Sequence, residues 1–87
     1  MNKKLAVIGA GGHGKVVGEI ASLNHYNVID FFDERKNEIK NFPFKIIGSI
    51  EFLKQNINYY DDFFVAIGDN KARYHYISWL KKEKYNI

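Results

Sequence analysis

The segment Gly9-Ala10-Gly11-Gly12-His13-Gly14 has the residue types and spacing best suited to bind a ligand. It fits the pattern G-x-G-x-x-G, follows the apolar run Leu5-Ala6-Val7-Ile8 and opens a helical pattern. That context makes a weak pattern informative. Gly9 permits a tight turn, and the missing Cβ at Gly11 and Gly12 lets the backbone approach phosphate oxygens. The N–H groups and dipole at the helix start favour an anion. Gly14 lets the helix lie close to the strand. The implied chemistry is diphosphate binding. The alternative is a glycine turn that binds nothing and costs conformational entropy. His13, in the first helical turn, is read as a hydrogen-bonding group rather than a base. His25 and His75 read as surface residues, and three scattered histidines make no metal site.

In NAD-binding folds an acidic residue about 20 positions after the glycines bonds the ribose hydroxyls. Two candidates stand here, Asp30 and the pair Asp33-Glu34. Asp30 lies inside an apolar run, whereas Asp33 follows it, where ligands gather at the carboxyl ends of strands. Asp33 and Glu34 are therefore the expected ligand contacts, against the alternative of a solvated turn.

The elements that must position these groups follow from periodicity. Lys4–Gly9 reads as a strand buried on both faces. His13 to about Leu23 reads as a helix with Val16, Val17, Ile20, Ala21 and Leu23 on its apolar side. Asn27–Phe32 is a second strand and Asp33–Asn41 a polar loop. Pro43 forbids a central strand, so Phe44–Ile47 is expected at an edge. Ser49 can cap a short helix to about Gln55. Asp62–Ile67 reads as another buried strand. Asp69 or Asn70 can cap a last helix to about Lys84, with Ala72, Tyr76, Trp79 and Leu80 at helical spacing. The order β-α-β-(β)-α-β-α predicts an α/β domain, a small Rossmann-like parallel sheet flanked by helices. Gly68-Asp69-Asn70 should then lie on the same sheet edge as Gly11–Gly14. Arg73, in the last helix, is open to two readings, a phosphate partner or an intramolecular ion pair.

With 87 residues the chain is one domain at most. It has no cysteine, which excludes disulfides and thiolate metal sites. No apolar run approaches the ~20 residues needed to cross a bilayer, and no signal-peptide core precedes the glycine loop. A cytoplasmic protein without membrane insertion is expected. Charge is uneven: residues 71–87 carry five Lys/Arg and one Glu, whereas residues 1–70 carry eight Lys/Arg and nine Asp/Glu. The basic end reads as a solvated helix face rather than a nucleic-acid surface.

Three segments together carry a family resemblance: Val7-Ile8-Gly9-Ala10-Gly11-Gly12-His13-Gly14-Lys15-Val16-Val17, Phe32-Asp33-Glu34, and Val65-Ala66-Ile67-Gly68-Asp69-Asn70 with Arg73. They resemble the N-terminal domain of bacterial sugar acetyltransferases of the PglD/NeuD type, over nearly the whole chain. The resemblance implies that Gly11, Gly12, His13 and Gly14 hold the diphosphate of a UDP-sugar. It implies that Asp33 and Glu34 contact uridine, and that Gly68, Asp69 and Asn70 line the other side of the cleft. Family members often carry Asp-Asp where this chain has Asp33-Glu34. It also implies a separate C-terminal left-handed β-helix that binds acetyl-CoA as co-substrate, supplies the catalytic histidine and forms a homotrimer. This chain has no hexapeptide repeat, so residues 1–87 are expected to be the UDP-sugar-binding domain. That domain would bind no cofactor of its own and be inactive alone. The glycine loop by itself permits two alternatives: an NAD(P)-binding domain of an oxidoreductase, or a non-catalytic nucleotide- or CoA-binding module.

Overall fold

The computed structural model describes residues 3–83. Among them four strands form one parallel sheet: β1 (Lys4–Ile8), β2 (Val28–Phe32), β3 (Lys45–Gly48) and β4 (Asp62–Val65), in the order β3-β2-β1-β4. Helices α1 (Gly12–Ser22), α2 (Ile50–Gln55) and α3 (Asn70–Lys82) connect and flank the strands. The expected α/β class and element order hold, with β3 at an edge. A short 3₁₀ turn, Ile57–Tyr59, was not anticipated.

The continuous apolar run of β1 makes sense at the sheet centre. Ala6 and Ile8 face a core with Phe32, Phe63, Val65, Ile50, Leu53, Tyr60 and Leu80, beneath α2 and α3. Leu5 and Val7 face the opposite core with Phe31, Ala10, Ala21 and Ala66, beneath α1 and the segment carrying Phe42 and Phe44. Two tyrosine–carboxylate hydrogen bonds brace these layers, Tyr60 to Asp30 and Tyr26 to Asp62, each 2.6 Å. Burial, with the Asp30 hydrogen bond, pushes the Tyr60 phenol up. The Asp62 hydrogen bond, aided by burial, pushes Tyr26 up to about 12.

Two expectations about burial need correction. On α1 the buried residues are Gly14, Gly18 and Ala21, while Val16, Ile20 and Leu23 are 51%, 56% and 80% exposed. The helix packs through its glycines: a Cβ on Gly14 would overlap the Gly9 carbonyl, and one on Gly18 would sit 2.5 Å from Phe44 Cε2. The close-packed side is therefore the small-residue side. The strand expected over Asp62–Ile67 is regular only to Val65, and its Phe64 is exposed. β4 is an edge strand of the described sheet, and α1 lies against β1 and β2 instead.

Candidate functional site

The strand order reverses around β1: β2 and β3 lie to one side and β4 to the other. Ligands of open α/β sheets bind outside the carboxyl ends of strands at such a reversal. Here Ile8 is level with both Phe32 and Val65, so the β1–α1, β2–β3 and β4–α3 connections emerge together. A cavity of about 400 Å³ opens there, lined by Gly9, Phe32, Asp33, Glu34, Arg35, Ile50, Ile67, Ala72 and Tyr76. A larger groove of about 540 Å³ lies away from these loops, between α1 and β4.

The glycine loop is built as its sequence suggests. Gly9 has φ +108°, a left-handed conformation suited to glycine. Gly14 gives α1 its close approach to that turn. Gly11 and Gly12 are different. A Cβ on Gly12 would meet nothing within 4 Å, and one on Gly11 would meet only Arg35 Nη2, at 3.9 Å. Internal packing does not require glycine at either position. Gly11 is the N-cap of α1 and supplies no side-chain cap, so the first amide groups of the helix are left for solvent or a ligand. His13 is exposed and sets its ring edge-on to Phe64, centroids 6.3 Å apart.

The acidic pair is deployed inward. Asp33 is only 7% exposed. Its Oδ2 accepts the Ala10 N–H at 2.9 Å and Arg35 Nη2 at 3.0 Å. Its Oδ1 accepts the Arg35 backbone N–H at 2.8 Å and Arg35 Nε at 3.1 Å. Burial pushes the Asp33 carboxyl up, but these hydrogen bonds outweigh it and hold it below the ordinary value. The same pairing pushes the Arg35 guanidinium up. Glu34 Oε1 accepts the Ile50 N–H at 2.8 Å and so ties the end of β2 to the start of α2.

On the far side, Asp69 caps α3 by accepting the Ala72 N–H at 2.8 Å. Arg73 Nη2 donates to Asn70 Oδ1 at 2.6 Å, an intramolecular pairing within the first turn of that helix. Of the expected site residues, Asp33 and Glu34 line the cavity. Gly11, Gly12, His13 and Gly14 follow its Gly9 edge, while Gly68, Asp69, Asn70 and Arg73 flank its Ile67 and Ala72 edge. The lining residues that were not among the expected contacts are Gly9, Phe32, Arg35, Ile50, Ile67, Ala72 and Tyr76. Arg35 carried a usable signal, since it directly follows two acidic residues at a strand end. Among the described residues, no cluster of three His, Cys, Asp or Glu is placed to hold a metal ion, and no helix is long and apolar enough to cross a membrane.

Residues 4–80 match the sequence pattern of the PglD N-terminal domain. The fold is similar to the acetyltransferase domain of PglB from Neisseria gonorrhoeae FA1090 in complex with acetyl coenzyme A, at 40% identity and a TM-score of 0.81. That match covers 98% of this chain and 42% of the other. A second structure of the acetyltransferase domain of PglB from Neisseria gonorrhoeae FA1090 matches at 39% identity and a TM-score of 0.81, covering 97% of this chain and 42% of that one. The chain thus spans well under half the length of these structures. No curated protein matches the sequence.

Proposed function

The chain belongs to the PglD N-terminal domain family, and from that premise we infer that it binds the UDP portion of a nucleotide sugar for an acetyl-CoA-dependent sugar acetyltransferase. The observation that carries this reading is the open pair Gly11-Gly12 beside a cavity at the strand-order reversal. Glycines that internal packing does not require leave the backbone amides approachable by phosphate oxygens. Gly11, Gly12, His13 and Gly14 hold the diphosphate in this reading. Uridine lies toward the Asp33-Glu34 side, and Gly68, Asp69 and Asn70 close the opposite wall. In the whole enzyme a second domain takes acetyl-CoA, transfers the acetyl group and trimerises, in the cytoplasm. The domain alone is inactive, because acetyl transfer needs a base beside the acceptor amine and a thioester site.

The inward use of the acidic pair weighs against the dinucleotide alternative. A ribose diol needs a free carboxylate at the end of β2, and Asp33 already accepts from Ala10 and Arg35. Calorimetric titration of the 87-residue chain with UDP, NADH and coenzyme A tests the reading. UDP should bind with a dissociation constant of ~0.1–1 mM, modest because the contacts are few and polar. Binding of NADH without UDP would refute it, and binding of coenzyme A alone would favour the non-catalytic module.

A further inference from the structure

We propose that Arg35, oriented by the buried Asp33 carboxylate, is the residue that reads the diphosphate of the ligand. This rests on the nucleotide reading above and reassigns roles within it: Asp33 positions and Arg35 contacts.

The geometry carries the argument. Arg35 Nε and Nη2 form a two-pronged pair with the two oxygens of Asp33, at 3.1 and 3.0 Å. That fork fixes the plane of the guanidinium, as bidentate arginine–carboxylate pairs do. It also leaves both Nη1 hydrogens and one on Nη2 to donate elsewhere. The carboxylate is buried while the guanidinium is exposed, with side-chain exposures of 8% and 60%. The pair is therefore polarised: its negative end is spent on the Ala10 N–H and its positive end borders the cavity. Nη2 also lies 3.9 Å from the point where a Gly11 Cβ would sit, so the guanidinium borders the glycine loop itself.

The other candidate cation is differently placed. Arg73 does not line the cavity and donates to Asn70. Arg35 is the cation among the cavity-lining residues. Glu38 lies near enough to favour its charged form, but does not line the cavity. Because Asp33 also holds Ala10, an anion drawn to Arg35 acts on a loop already fixed in place. The ligand class is therefore a diphosphate monoester or diester, bound by a planar fork rather than a point charge.

The test titrates wild-type chain, Arg35→Ala and Arg35→Lys with inorganic pyrophosphate, UDP and uridine in separate arms. Amide shifts of Gly11, Gly12 and Gly14 provide the readout, and Ala10 reports loop integrity. Arg35→Ala should weaken pyrophosphate and UDP at least about tenfold, the loss of one charge-assisted contact, with uridine unaffected. Arg35→Lys should restore only part, because lysine lacks the fork. Wild-type affinity should fall with added salt more steeply than that of Arg35→Ala. Equal pyrophosphate affinity in wild type and Arg35→Ala overturns the proposal, as does a wild type that binds no pyrophosphate. Pyrophosphate binding lost in Arg35→Ala, with UDP binding no tighter than pyrophosphate in wild type, upholds Arg35 while overturning the UDP reading.

Discussion

Replacing Asp33 by Asn removes one charge and exchanges one acceptor for a donor inside the most connected side chain of the site. Four hydrogen bonds converge on this carboxylate, from Ala10 N–H and from three nitrogens of Arg35. The Ala10 bond is buried and charge-assisted, a class that contributes ~1.5–3 kcal/mol. The side-chain pair with Arg35 contributes less, ~0.2–1 kcal/mol, because the guanidinium is exposed and screened. An asparagine amide keeps one acceptor but turns an N–H toward either Ala10 or Arg35, which are themselves donors. The expected loss is about 2–3 kcal/mol, a fall in melting temperature of about 10–20 °C for a domain this size. The pH dependence gives an independent check. Because the folded carboxyl titrates below its ordinary value of 3.8, its contribution is fully present above that value. It disappears as pH falls through the lower folded value. The stability gap between wild type and Asp33→Asn should therefore be full at pH 7 and shrink below about pH 4. Urea unfolding at several pH values measures it. Equal urea midpoints at pH 7, or a gap that widens on acidification, would refute the reasoning.

Gly18→Val and Gly11→Val should behave oppositely. The first places a Cβ into Phe44 and should cost about 1–3 kcal/mol or more. The second should melt near wild type but lose UDP in calorimetry, since its Cβ meets only Arg35 Nη2 at 3.9 Å. Tyr26→Phe should remove a step in alkaline stability. A phenol raised from 10.0 to about 12 stabilises the fold below pH 10 and loses that contribution as pH rises through 12. Ultraviolet titration of the tyrosines checks the shift, and a variant with an unchanged alkaline unfolding profile would contradict it.

Patterns that depend on neighbours in the chain were legible before the structure. Gly9-Ala10-Gly11-Gly12-His13-Gly14 needed only a strand before it and a helix after it. Ser49 and Asp69 cap their helices through residues three positions on. The unbroken apolar run of β1 marked a strand covered on both faces. Other features depend on residues that meet only when the sheet assembles. Val16, Ile20 and Leu23 formed an apolar stripe in the sequence. The buried stripe is nevertheless Gly14-Gly18-Ala21, because Phe44 and the Gly9 carbonyl crowd that side of α1. Phe64 is exposed because its face of β4 borders the open groove beside α1, whereas Phe63 and Val65 on the same strand are buried. Asp33 was correctly placed at a strand end, yet its direction was set by Ala10, 23 residues away in the chain. That long-range bond turns the carboxylate inward and puts Arg35 in its place at the mouth of the cavity. Residue spacing encodes local geometry, but which groups satisfy one another across the sheet depends on how distant strands and loops are brought together.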